Sequence, residues 1–104
     1  MFMRRVVGNS MAPVLKPGDI VFAKKIHHMH IYANSIVIAN INGKEIIKRV
    51  GLVKNGKVFL IGDNKAASTD SRTFGLVPCN VVLGKVVFWV PNIVARFNSR
   101  LMKH

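Results

Sequence analysis

The amino-acid sequence predicts a mainly β domain: a compact antiparallel, barrel-like sheet with one short helix at the C-terminal end. Three observations carry that expectation. Asn42-Gly43 and Asn55-Gly56 are two-residue hairpin signals, each set between runs rich in β-branched residues. No segment between them has a 3.6-residue apolar period, so no helix interrupts the meander. The 104 residues, 50% of them apolar, suffice for one core and not for two, so residues 1–104 read as a single domain.

Taken in order, residues 3–7 read as a short strand. Gly8-Asn9-Ser10-Met11-Ala12-Pro13 breaks it with turn formers, and Lys16-Pro17-Gly18-Asp19 is a second turn. Residues 19–24 form a second strand, rich in β-branched and aromatic side chains. Lys25-Ile26-His27-His28-Met29-His30 is polar and irregular. Its histidines invite a metal, but zinc sites use wider spacings with ligands elsewhere, so a solvated loop is expected and no metal or other cofactor.

Residues 35–41, 45–53 and 58–61 are three further strands joined by the two Asn-Gly turns. The stretch 62–75 is a long polar loop dense in hydroxyls, of the kind that is functional or mobile. Residues 81–90 form the last long strand, with Gly84 as the expected bulge. Pro91-Asn92 can open a short helix through Met102, with Ile93, Phe97 and Leu101 on one stripe and Arg96, Arg100 and Lys103 on another. Packing on the sheet and lying on an anionic membrane are both open to that segment.

The net charge of +12 points to an anionic neighbour: nucleic acid, acidic lipid or acidic substrate. Disorder is excluded by the apolar content. Cys79 is the only cysteine, which excludes an intramolecular disulfide framework. No run reaches the roughly 18 apolar residues of a spanning helix, and no signal peptide precedes the first turn. The expected localisation is cytoplasmic or peripheral to a membrane.

Two residues stand out chemically. Ser10 sits on a tight bend after a strand, where its hydroxyl is either a turn hydrogen-bonder or a nucleophile awaiting a base. Lys48 lies inside an apolar strand, sharing a face with Ile46 and Val50, while Arg49 shares the other with Ile47 and Gly51. One of these two cations has its stem against the core, either snorkelling to the rim or buried and readily neutralised. The usual zinc, Gly-x-Ser-x-Gly and Ser-His-Asp sets are missing, and a Ser–Lys pair follows the same nucleophile–base logic.

The order of motifs then becomes specific. Gly8-Asn9-Ser10-Met11-Ala12-Pro13-Val14-Leu15-Lys16-Pro17-Gly18-Asp19 resembles the serine box of the signal peptidase I superfamily, and Ile47-Lys48-Arg49-Val50 resembles its lysine box. Gly62-Asp63-Asn64, Ser68-x-Asp70-Ser71-Arg72 and Leu83-Gly84-Lys85 are similar to its C-terminal box. Gly-Asn-Ser-Met-x-Pro, Ile-Ile-Lys-Arg-Val and Ser-Thr-Asp-Ser-Arg-x-Phe-Gly most resemble the short subgroup of nickel-type superoxide dismutase maturation proteases.

That resemblance implies a signal peptidase (LexA-like) fold and a serine endopeptidase that removes a signal peptide or propeptide. Ser10 would be the nucleophile, Lys48 the general base and Ser68 the hydroxyl orienting the lysine. Asp70 and Arg72 would form a structural ion pair, and Asp63 would serve the geometry of that loop. The backbone N–H of Ser10 would be the first oxyanion donor, and Val6, Met11, Leu15 and Ile47 would line substrate pockets. The partner is a precursor polypeptide bound as an extended strand.

The sequence departs from the larger signal peptidases where many have a serine two residues before the nucleophile. Gly8 removes that side-chain donor, a loss on the order of 10²–10³ in rate where nothing replaces it. Neither a membrane span nor the large extra β region is expected within these residues, and the second Gly-Asp turn appears as Asn34-Ser35.

An unperturbed lysine, of pKa ~10.4, is neutral in only about one molecule in 2,500 at pH 7. A base working near neutrality needs its charged form disfavoured by about 4 kcal/mol. The rival readings are a small basic β-barrel for nucleic acid, which leaves the three boxes unexplained, a self-cleaving LexA-type domain, and an inactive relative. Nucleic acid is not the expected partner.

Overall fold

The structure, a computed structural model, describes residues 1–27 and 30–92. Seven antiparallel strands form one sheet in the order β1-β2-β7-β3-β4-β5-β6. They are β1 (Phe2–Arg5), β2 (Ile20–Lys24), β3 (Ile36–Ile41), β4 (Lys44–Lys54), β5 (Lys57–Ile61), β6 (Val77–Pro78) and β7 (Val82–Val90). The expected mainly β architecture is thus what the chain adopts.

Both Asn-Gly turns close hairpins, β3–β4 and β4–β5. Asn42 and Gly43 have φ of 53° and 84°, and Asn55 and Gly56 have 50° and 74°. Left-handed φ at both central residues matches the right-handed twist of the flanking strands, which is why this dipeptide sets the register so firmly. Across the first hairpin, Val37 pairs with Lys48 and Ile36 with Arg49.

β3 is the centre of the core, because both its faces are covered. Ile36 and Ile38 join Val6, Met11, Leu15, Val21, Ala23 and Val86 in one apolar cluster. Val37 and Ala39, pointing the other way, join Val50, Val58, Leu60, Cys79 and Val82 in a second. That explains why this strand reads as a continuous apolar run rather than an alternating one. The segment carrying Met11 and Leu15 folds over one face, so the serine bend is packed against the centre of the sheet.

Three local expectations change. The first strand ends at Arg5, and Val6 is buried beyond it, its N–H donating to Asp19 O at 2.7 Å. Gly84 is not the bulge: it pairs in register with Ile38, and the extra residues on β7 are Leu83 and Val87. Gly84 is required by close packing instead, since a Cβ there would stand 2.8 Å from the Phe2 ring and 2.9 Å from Lys24 O. The loop 62–75 is partly ordered into a 3-10 turn (Lys65–Ala67) and a single helical turn, α1 (Ser71–Phe74), capped by Asp70.

His27 and His30 are exposed, and no group of metal-binding side chains occurs among the described residues. His28, the expected C-terminal helix and its basic face beyond Asn92 lie outside the described residues. No helix among the described residues is long and apolar enough to cross a membrane.

Candidate active site

β4 alternates two cations between its two faces and gives them different surroundings. Lys48 is buried, 4% exposed, and its Nζ donates to Ser68 Oγ at 2.9 Å. Arg49, half-buried on the opposite face, grips Asp63 through Nε–Oδ1 and Nη2–Oδ2, both 2.8 Å, and donates to Asn34 O. A guanidinium keeps its charge and so needs an acid; an amine can shed its proton and needs none.

Ser68 is itself held. Its hydroxyl proton goes to Asp70 Oδ2 at 2.9 Å, so towards Lys48 it can only accept. Asp70 also accepts from Gly62 N–H at 2.8 Å, from Arg72 N–H at 3.0 Å, and from the Arg72 guanidinium through Nε at 3.0 Å and Nη2 at 2.5 Å. The carboxylate sits at the N-terminus of α1 and is fully enclosed. Ser71 Oγ accepts from Leu60 N–H at 2.8 Å, which fastens the same turn to β5.

The electrostatics follow from these contacts. Burial, the largest influence, pushes the Lys48 amine below its ordinary value; Asp70 opposes that, and Arg72 and Lys44 reinforce it. For Asp70, burial alone acts upward. The hydrogen bonds from the Arg72 side chain, the Gly62 and Arg72 amides and Ser68 outweigh it and hold the carboxyl well below the usual carboxylate range.

Ser10 is brought to this network through the backbone. Asn64 N–H donates to Ser10 O at 2.9 Å, and Asn64 Nδ2 to Asn9 O at 3.1 Å. Gly62 lies where they meet: a Cβ there would be 2.6 Å from Ser68 Cβ and 2.7 Å from Ser10 O. Upstream, Gly8 has φ 79° with open space around it, so a side chain would fit there but the backbone conformation disfavours one.

Ser10 and Lys48 line one cleft of about 510 Å³, walled by residues 4–11 on one side and 44–48 on the other, with Ala67 and Thr69. Of the expected pocket residues, Val6, Met11 and Ile47 line it. Leu15 does not: it is fully enclosed in the core. Sequence reasoning gave no role to Arg49, Asn64 or Gly62. The signal for Arg49 was its position next to Lys48 on the opposite face of β4; for the other two it was their place in the Gly-Asp-Asn string.

A serine bend over an antiparallel sheet and a buried lysine thus line the same cleft. The chain belongs to the Peptidase S24-like family, whose profile matches residues 1–87. Human mitochondrial inner membrane protease subunit 1 is 32% identical over 106 residues, covering 78% of this chain and 64% of that protein. Signal peptidase I of Bacillus caldolyticus is 30% identical over 94 residues, covering 84% of this chain and 52% of that enzyme. The chain therefore spans about half to two thirds of the length of these relatives. They support the signal peptidase superfamily, and none of them bears on the narrower nickel-type subgroup.

Proposed function

We propose that this chain is a serine endopeptidase domain in which Ser10 is the nucleophile and Lys48 the general base. One observation carries the reading: a lysine buried in an apolar strand, its amine fixed by Ser68, shares a cleft with a serine on a bend. Because the Ser68 proton is committed to Asp70, the Lys48–Ser68 contact uses an N–H of the amine and leaves the lone pair of the neutral form for Ser10.

Neutral Lys48 takes the Ser10 proton as Oγ attacks the scissile carbonyl. The resulting lysine cation gives that proton to the leaving amine. Water, deprotonated by the same amine, then hydrolyses the acyl ester and returns Ser10. The oxyanion receives the Ser10 N–H; with Gly8 in place, no side-chain donor comes from that position. The substrate fits as an added strand, since residues 44–48 of β4 lie beyond its pairing with β5, which starts at Arg49, and β1 is an edge of the sheet.

The substrate is a precursor whose N-terminal signal peptide or propeptide is removed. The serine, lysine and C-terminal boxes favour the propeptide of a nickel superoxide dismutase. General signal-peptide processing at a membrane is the second reading, supported by the likeness to signal peptidase I. Peripheral contact of the basic segment after Asn92 with anionic lipid belongs with it. Incubating the purified protein with each precursor, beside Ser10→Ala and Lys48→Arg, tests the assignment. Wild type alone should cleave; cleavage by Lys48→Arg would remove lysine as the base, because a guanidinium holds its proton.

A further inference from the structure

The cleft carries a charge pattern that the proposed chemistry does not use. Five ionisable side chains line it: Arg4, Arg5, Lys44, Glu45 and Lys48. Glu45 is already taken. Arg4 grips it across the gap between β1 and β4, Nε to Oε1 at 2.7 Å and Nη2 to Oε2 at 3.2 Å. Lys48 is buried against Ser68. That leaves Arg5, at the end of β1, and Lys44, at the start of β4, one on each wall. Both are exposed, and neither side chain has an ion pair or hydrogen bond among the described residues.

The rest of the chain does not balance them. It has four acids, and the other three are also engaged inside the fold. Asp19 accepts from Lys16 N–H and Asn92 N–H, Asp63 is held by Arg49, and Asp70 by Arg72. An extended peptide entering the cleft therefore meets uncompensated positive charge on both sides and no free carboxylate. The net charge of +12 adds a long-range field of the same sign.

We propose that the cleft selects precursor segments bearing acidic side chains, with Arg5 and Lys44 as the specificity-determining cations and Glu45 as the group that withholds Arg4 from them. This rests on the peptidase reading. Nucleic acid would match the charge but not the surface. No aromatic side chain lines the cleft among the described residues, and single strands are held largely by stacking on such rings.

The test is a degenerate synthetic peptide library, with Ser10→Ala as the blank. Cuts that depend on Ser10 are expected to be flanked by an excess of Asp and Glu. The best peptide is then compared with its Asn/Gln counterpart. Each exposed ion pair contributes a factor of about two to five, so the ratio of kcat/KM, acidic to amide, should be about fivefold or more at low salt. It should fall towards one near 1 M salt, where screening acts within ~3 Å. Arg5→Gln/Lys44→Gln should bring the low-salt ratio near one, and Glu45→Gln, which releases Arg4, should raise it. Taking the ratio within each variant cancels the influence of Lys44 on the Lys48 amine.

A wild-type ratio of one, or an undiminished ratio in the double variant, overturns the proposal and leaves the peptidase reading standing. Absence of any Ser10-dependent cut removes both. Oligothymidylate blocking cleavage at concentrations below those of the acidic peptide would assign the cations to nucleic acid and overturn the proposal as well.

Discussion

Replacing Gly62 by alanine adds one methyl group where three parts of the site meet. The new Cβ would overlap Ser68 Oγ and stand 2.6 Å from Ser68 Cβ and 2.7 Å from Ser10 O. Ordinary contact between carbon atoms begins near ~3.5 Å, so the better part of an ångström must be opened on both sides at once. Neither side yields easily. Ser68 is pinned between Lys48 and Asp70, and Ser10 O is a backbone atom held by Asn64 N–H. Gly62 does not occupy the left-handed region, so the effect is steric and not conformational.

Overpacking of this kind costs about 1–3 kcal/mol, which leaves the protein folded. Displacing a nucleophile and its base by about 1 Å costs on the order of 10² in rate. Urea denaturation and kcat/KM for a cleaved peptide are the two measurements. The expected result is at least about a hundredfold loss of activity at a stability loss no greater than about 3 kcal/mol. Adding Ser68→Ala relieves one clash but not the one with Ser10 O, so the double variant stays impaired. Gly62→Ala with activity within about threefold of wild type would refute the idea that this glycine sets the spacing of the site.

Lys48→Met should abolish cleavage and flatten the dependence of stability on pH. The folded-state amine binds its proton less tightly than the unfolded one, so this group's contribution rises as pH climbs through the folded value towards ~10.4; urea midpoints at pH 6 and pH 9 read it. The kcat/KM of the wild type should rise over the same interval as the base loses its proton, and a rate that falls there would contradict a lysine base. Asp70→Asn should cost about 2 kcal/mol at neutral pH by removing charge-assisted bonds to a buried carboxylate. In the wild type that contribution is present above the ordinary carboxylate range and is lost as pH falls below it. Gly8→Ala should destabilise by about 1 kcal/mol through its left-handed φ, with no new contact to disturb; a neutral effect in thermal melting would refute it.

What the sequence made legible was mostly local. Each Asn-Gly turn fixes its hairpin by its own backbone preference, so the β3–β4–β5 meander could be read without any long-range information. The continuous apolar run of β3 was legible as a strand, but its cover on both faces emerged only from the structure. Less legible was what depends on distant partners. Gly84 looked like a bulge because glycine weakens a strand, whereas its real constraint is the Phe2 ring arriving from the other end of the chain. Leu15 followed a pocket pattern in the serine box, yet the bend turns it into the core. For the site, Ser10 and Lys48 could be singled out from their surroundings, but no local feature places Ser68 beside Lys48. Only the resemblance of the C-terminal box to a known family pattern suggested it.

The two cations of β4 bear on how so small a sheet could set up the proposed base and its support together. Alternation along the strand sends Lys48 and Arg49 to opposite faces, one residue apart. On one face the amine is desolvated with no full counter-charge of its own, because Arg72 and the Gly62 amide already claim Asp70. On the other, Arg49 holds Asp63, immediately after Gly62, and so anchors the loop from which Asn64 reaches Ser10 O. The chain's few acids follow the same logic. A fifth carboxylate free to reach Lys48 would stabilise the ammonium and silence the base, so a strongly basic chain whose acids are all engaged elsewhere suits a neutral lysine. The charge imbalance that first suggests nucleic acid thus acts, through Arg72 and Lys44, in the same direction as the burial that chiefly lowers the Lys48 amine.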